Sequence, residues 1–266
     1  MAILTISRDY GSGGREIGRA VAERLEYAYE DRVTLVNAVS ATDPRWAHFC
    51  DEYDEQKPSL WERYDWSFHG YAALLQRHIL EAAAADRVVI VGRGGAFLLA
   101  GVPLALHVRI VAPLAERIER IMRREHADHD SVRRLIERVD RERAGFIAAV
   151  YHRRWDDPAA YDLVRDTSLL APETIIDDIV TNLGNRDRSD REAAQRLLSS
   201  RLAVARVRAA LFIDPHLQLP TLEVVEEGGK ILVRGVVHRP EEKGLIRKAA
   251  SAHAGNHPLR FDLRFR

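Results

Sequence analysis

Residues 3–18 read ILTISRDYGSGGREIG. The apolar, partly β-branched start is a short strand, the glycines force a turn, and the run from Arg15 has helical apolar spacing through Ile17, Val21, Ala22 and Leu25. A loop that grips phosphate needs glycines, so that the backbone can approach an anion and aim its N–H groups. It also needs a helix N-terminus behind them and a long cation that reaches the outer phosphates. Gly11, Ser12, Gly13 and Gly14 meet the first need and the helix from Arg15 the second. The nearest lysine is Lys57, so the cation is Arg15 or Arg8. Arg15 directly follows the last glycine, where the pattern GxxxxGK carries its lysine, and its forked guanidinium suits bidentate contact. The plainer alternative is a glycine turn that only joins strand to helix.

Outward from this stretch, VVIV (88–91), 104–111 and a short segment in YDLVRDTS (161–168) read as further strands. The spacing predicts helices over 15–26, 71–85, 114–124, 131–151 and 172–183, while 27–69 is charged, aromatic and irregular, with short helices at most. Strands alternating with helices, and strands apolar throughout, predict an α/β fold: a parallel sheet flanked by helices. Residues 184–192, GNRDRSDRE, have no apolar period and read as a linker. Beyond it come one or two helices over 193–211, a hairpin around Gly228-Gly229, a helix over 240–253 and an alternating strand, LRFDLRF. That order, α-β-β-α-β, predicts a small second α+β domain.

The chain has 266 residues, 46% of them hydrophobic, and 40 basic residues balance 40 acidic ones. Neutrality argues against nucleic acid as the main partner. The last 66 residues carry 12 Lys/Arg against 7 Asp/Glu, a mild excess that an ordinary solvated surface explains. The single cysteine, Cys50, forbids an internal disulfide and points to a reducing, cytoplasmic setting. The start MAILTIS has no basic region followed by a long apolar run, and no apolar stretch reaches the ~20 residues of a membrane span.

Seven blocks taken together resemble the cytidylate kinase-like family of P-loop nucleoside monophosphate kinases. They are LTISRDYGSGGREIG (4–18), YEDR (29–32), EYDEQKPSLWER (52–63), VVIVGRGG (88–95), RIVAPLAERIERI (109–121), VDRERAGF (139–146) and YHRRWDDPAAYDLVRDTS (151–168). The resemblance implies a P-loop kinase-type parallel sheet over 1–186, a monophosphate-binding insertion and a mobile lid. It implies transfer of the ATP γ-phosphoryl group to CMP or a similar nucleotide, with Mg²⁺. Gly11, Ser12, Gly13, Gly14 and Arg15 would then cradle the ATP phosphates. Arg93 would contact the acceptor, and Asp31 and Arg32 stand where the acceptor-binding insertion begins. Arg141 and Arg143 match catalytic lid arginines, with Asp140 orienting them. Ser12 or Glu16 would support the metal. Two departures bear on activity. Well-studied cytidylate kinases carry lysine in the loop and aspartate after the glycine-arginine pair, where this chain has Arg15 and Gly94. A nucleotide-binding sensor with little turnover, and a kinase for another small acceptor, therefore remain as alternatives.

Residues 196–266 resemble a BON domain through GKILVRG (229–235) and the element order, which implies a regulatory or oligomerising module. Elsewhere, Arg117, Arg120, Arg123 and Arg124 share a helix with Glu116, Glu119 and Glu125; they read as a solvated face, with phosphate contact by Arg117 or Arg120 as the alternative. The acidic run 52–55 reads as surface rather than a metal site, and REHADHD, with His126 and His129, lacks zinc spacing. Trp46, Trp61, Trp66 and Trp155 read as core or hinge packing, with stacking on a pyrimidine as the alternative.

Overall fold

The structure is a computed structural model that describes residues 2–42, 46, 65–186, 188–217, 219 and 221–266. Cys50, Lys57, Trp61 and the block 52–63 lie outside the described residues. The first strand, β1 (Ile3–Arg8), runs between β3 (Val88–Val91) and β4 (Ala105–Val111), with β2 (Ala28–Glu30) beyond β3 and β5 (Leu163–Asp166) beyond β4. All pairings are parallel, Thr5 facing Ile90 on one side and His107 on the other. Pairing on both edges and helices on both faces are why the inner strands β1, β3 and β4 are predominantly apolar.

Period-two alternation sorts the side chains. Leu4, Ile6, Val89, Val91, Leu106, Val108 and Ile110 point to a core closed by α1 (Gly14–Leu25) and α7 (Pro172–Arg186). Ile3, Val88, Ile90 and Ala105 point to the other face, under α3 (Trp66–Ala85) and Phe146 and Ile147 of α6 (His129–Tyr151). On that second face the strands turn polar towards their carboxyl ends: Thr5, Ser7, His107 and Arg109 are all buried. Open α/β sheets bind ligands at that end.

Strand β2 falls within the stretch that sequence reads as irregular. It is three residues long and half-exposed, so no apolar run announces it, and its register on Val88–Ile90 is what makes it a strand. Helix α2 (Arg32–Thr42) follows it, and α4 (Gly95–Leu98) and α5 (Leu114–Glu125) follow β3 and β4. The expected linker is mostly helical: Gly184–Arg186 end α7, and Arg191–Glu192 begin α8 (Arg191–Phe212), which Asp190 caps by accepting from the Ala193 amide at 2.9 Å.

The C-terminal unit has the expected α-β-β-α-β order. Strands β6 (Glu223–Glu227) and β7 (Lys230–Val237) form an antiparallel hairpin, and Gly228 and Gly229 take the positive φ its turn demands. Helix α9 (Pro240–His253) then crosses over to β8 (Leu259–Phe265), which lies parallel to β7. Helix α8 serves two cores. Leu198, Leu202, Ala205 and Ala209 pack with α3, while Val207 and Leu211 pack with Val224, Ile231, Val233 and Ile246. Arg208 is half-buried at the joint and donates to Gln76 Oε1 (3.0 Å) and the Val224 carbonyl (2.6 Å). Among the described residues no helix is long and apolar enough to cross a membrane.

Candidate functional site

The chain leaves β1 at Arg8 and enters α1 at Gly14 through a loop stretched across the carboxyl ends of the strands. Gly11 and Gly13 have φ of 81° and 84°, a conformation that side chains disfavour. Gly13 is the N-cap, and no side chain caps the helix. The amides of Gly14, Arg15 and Glu16, on the first turn, have no intrahelical acceptor and carry the positive end of the helix dipole. They face a cleft of about 980 Å³ whose rim includes Arg32, Arg120, Arg124 and Arg143. An anion is the ligand such a surface favours.

The loop is held from behind by side chains that sequence reasoning did not assign to it. Arg117 donates to the Tyr10 carbonyl (3.2 Å) and to Asp140 (2.5 Å), and Asp140 accepts from the Tyr10 amide (2.9 Å). Arg120 donates to the Ser12 carbonyl (3.3 Å) and to Thr167 Oγ1 (2.6 Å), whose hydroxyl also donates to the Ser12 carbonyl (2.8 Å). Arg109 pairs with Asp9 at 2.8 Å and lies over the Trp155 ring at 4.3 Å. Burial pushes the Asp9 carboxyl up from its ordinary range, with Arg109 acting against it. Arg117 and Arg120 are thus not a solvated face: they clamp backbone carbonyls, and Arg120 also borders the cleft. Arg123 and Arg124 are exposed on the same helix.

A second, smaller pocket opens beside the cleft, beyond Gly92. Arg8, Arg93 and Arg143 line it with Phe97, Phe146 and Trp155. Arg93 is buried and has φ 56°. Arg8 and Arg143 border both cavities, and Arg143 donates to the Arg8 carbonyl at 3.0 Å. At Gly94 a Cβ would fall 2.1 Å from the Tyr151 ring, so no aspartate fits there while that ring is in place.

The profile of one family, described as cytidylate kinase-like, matches residues 3–169. The chain belongs to the cytidylate kinase-like family. A cytidylate kinase of Methanocaldococcus jannaschii is 27% identical over 186 residues, 69% of this chain and 98% of that protein. A solved structure of an uncharacterized protein from Eubacterium ventriosum superposes with a TM-score of 0.56 at 19% identity, over 69% of this chain and 99% of the other. That second likeness is one of fold. A uronate isomerase of Corynebacterium glutamicum shares 34% identity over 104 residues, 39% of this chain and 20% of that enzyme. The five-stranded parallel sheet with helices on both faces is the P-loop kinase-type architecture expected of that family.

The residues singled out from sequence are distributed unevenly over this site. Gly11, Gly13, Gly14, Arg15, Glu16, Asp31 and Arg32 all border the cleft. Ser12 does not: it is buried, and its Oγ donates to the Asp9 carbonyl at 2.9 Å. Arg15 reaches sideways to Asp31, with Nε and Nη2 at 3.0 and 2.9 Å from Oδ2. Asp31 is buried, and its other oxygen accepts from the Val33 amide at 2.8 Å, capping α2. The expected arginine pair on α6 splits: Arg143 borders both cavities, while Arg141 is exposed on another face of the helix. Asp140, expected to orient those two, serves Tyr10 and Arg117 instead. Trp46 packs in the core against Gly70, and Trp155 lines the second pocket. Among the described residues no group of three His, Cys, Asp or Glu side chains is placed to hold a metal, His126 and His129 included.

Proposed function

We propose that this chain transfers the γ-phosphoryl group of ATP to a nucleoside monophosphate, with CMP or dCMP the first candidates. The observation that carries the reading is the pairing of two cavities: a cleft floored by first-turn amides, and an arginine-lined pocket that shares Arg8 and Arg143 with it. In this reading the backbone of Gly11–Gly14 holds the ATP phosphates, and Arg15, held at the rim by Asp31, adds positive charge beside them. Arg93, with Asp31 and Arg32 at the head of α2, receives the acceptor, and Arg143 contacts the transferring group. Arg141 contributes only if α6 turns inward on closure. An acceptor phosphate oxygen forms the new P–O bond, the bond from the γ-phosphorus to the β–γ bridging oxygen breaks, and ADP leaves. Such a step asks for positioning and for cations around spreading negative charge more than for a nucleophilic side chain.

Nucleotide-bound Mg²⁺ takes most of its ligands from phosphate and water and one or two from protein, and it neutralises charge on the phosphates. Glu16, which faces the cleft, fits that modest demand; the Ser12 hydroxyl is committed to Asp9.

A second reading, a nucleotide sensor with little turnover, draws on one observation: α8 threads both cores, so the C-terminal unit is built into the domain that carries the cleft. A BON-like regulatory or oligomerising role for that unit, and a cytoplasmic location suggested by the lone cysteine, belong to either reading. A panel of nucleoside monophosphates with ATP and Mg²⁺, scored by ADP release and by calorimetry, separates them. Turnover with a cytosine nucleotide supports the kinase; tight ATP binding with no product from any acceptor supports the sensor; no nucleotide binding sinks both.

A further inference from the structure

The loop has no lysine, and it has an arginine where a compact residue would be expected. Arg15 follows the last glycine in sequence, but Gly14 is already the first residue of α1 and Gly13 is its N-cap. Counted from Gly13, which corrects the register that places the lysine at Arg15, GxxxxGK has its first glycine at position 8 and its lysine at position 14. This chain has Arg8 and Gly14 there, the large and the small residue exchanged. The two positions share one space. A Cβ on Gly14 would lie 2.6 Å from the Arg8 Cβ, nearer than real Cβ atoms approach, with tight contacts to Ile110 Cβ (3.1 Å) and Arg8 Cγ (3.3 Å) beyond it. A side chain on one of these residues therefore excludes a side chain on the other. Farther along, a Cβ on Gly92 would fall 2.3 Å from Arg8 Nη1. The Arg8 side chain thus runs from the end of β1, over the first residue of α1, to Gly92, the residue before Arg93. It borders the cleft at one end and the arginine pocket at the other.

We infer that Arg8 is the phosphate-bridging cation of this loop, reaching the β- and γ-phosphates from the strand side in place of a lysine on the helix side. The inference rests on the kinase reading and adds a residue to it. Arg15 does not compete for this place, because its guanidinium is drawn to Asp31 at the edge of the cleft. A guanidinium at the junction lies between donor and acceptor phosphates, where charge spreads during transfer, and its planar fork can contact both.

The test compares wild type, Arg8→Met, Arg8→Gly and the double variant Arg8→Gly/Gly14→Lys in the full chain. ATP affinity is read by calorimetry, phosphotransfer with the acceptor found for wild type, and folding by thermal melting. Arg8→Met is expected to lower kcat on the order of 10²–10³-fold, the loss typical of one preorganised charge-stabilising donor. The double variant, which returns the cation from position 14, is expected to recover at least about tenfold over Arg8→Gly. If wild type binds ATP without turnover, the same order is expected in ATP affinity. A folded Arg8→Met within about threefold of wild type in both readouts overturns the inference. So does a folded double variant no better than Arg8→Gly, which decides the matter even if Arg8→Met fails to fold. In those cases wild-type activity stands, so the kinase reading survives; a wild type that neither binds ATP nor transfers phosphate removes the reading and Arg8's role together.

Discussion

Tyr151 of α6 occupies the space that a side chain at position 94 would need, 2.1 Å from where a Cβ on Gly94 would fall, and its hydroxyl donates to the Arg93 carbonyl at 3.0 Å. The ring thereby fixes the backbone of the buried pocket arginine and takes the place of the carboxylate that well-studied cytidylate kinases carry there. Burial pushes the Tyr151 phenol well above its ordinary range, so it remains a neutral donor.

Gly94→Asp should therefore not improve the acceptor pocket. Position 94 has φ 74°, and the new side chain meets the Tyr151 ring. Overpacking and left-handed backbone each cost about 1–3 kcal/mol, so a drop in Tm of several degrees is expected, with phosphotransfer reduced alongside it. A variant that melts with wild type and transfers phosphate faster would show that the ring yields easily and that the carboxylate was simply missing.

The loop clamp makes a second prediction. Arg117 is 11% exposed and Asp140 20%, and between them they satisfy both polar backbone groups of Tyr10. Arg117→Met leaves a partly buried carboxylate and a carbonyl without their cation, at a cost of about 1–3 kcal/mol. ATP affinity should fall because the loop amides lose their fixed aim, while the KM for the acceptor stays near wild type. Equal losses in both constants would place the damage in the whole domain.

Asp31 is tied to two elements at once, Arg15 of α1 and the Val33 amide of α2. Asp31→Ala removes a helix cap worth about 1 kcal/mol and releases Arg15 into the cleft. The expected signature is a raised acceptor KM with ATP affinity unchanged or tighter, since a freed guanidinium lies nearer the phosphate loop. Weaker ATP binding would mean that the ion pair positions Arg15 for the nucleotide.

The legible part of the fold follows from burial. The strands ILTIS, VVIV and LHVRIV are covered on both faces, so their composition alone marks them, whereas β2 exists only through its pairing with β3 and leaves no mark of its own. The glycines were legible for the same local reason: Gly11 and Gly13 have positive φ, a demand that a single residue type meets. Arg117 and Arg120 were not, because an arginine on a polar helix looks the same whether it faces water or a loop carbonyl across the fold. The path of Arg8 was also hidden; it depends on Gly14 and Gly92, which only the folded sheet brings together. Likewise α8 carries apolar residues on two faces, a pattern that sequence leaves divisible into two helices and that the structure resolves into one helix between two cores.

A pH-dependent contribution is expected in the C-terminal unit. Glu242 is 3% exposed; burial opposes its charge, but the His238 and Arg239 amides and the Arg239 guanidinium hold its carboxyl below the ordinary value of 4.5. A folded pKa below the unfolded one gives stability that is present above the unfolded value and is lost as pH falls through the folded value. Glu242→Gln should thus cost about 1 kcal/mol at neutral pH, and the gap to wild type should narrow below the ordinary carboxylate range. Urea titrations of both proteins at pH 7 and at mildly acidic pH measure it. A gap independent of pH would assign the effect to packing.

Because α8 supplies Leu198, Leu202, Ala205 and Ala209 to the core under α3, the cleft-bearing domain is incomplete without it. Ending the chain after Arg186 would uncover the side of α3 that meets α8, where Glu81 and Gln76 now accept from Arg206 and Arg208. Burial of one large aliphatic side chain contributes about 1.5–3 kcal/mol, so losing two leucines and several alanines exceeds much of a typical domain's stability. The truncated chain should aggregate or melt far below the full protein, whereas a chain ending after Phe212 should keep the α3 contact and expose Val207 and Leu211 instead. The full chain should unfold in one transition by calorimetry, since Arg208 and the two faces of α8 couple the units. Two well-separated transitions, or a soluble and stable chain ending at Arg186, would show that the helix is an appendage rather than a shared wall.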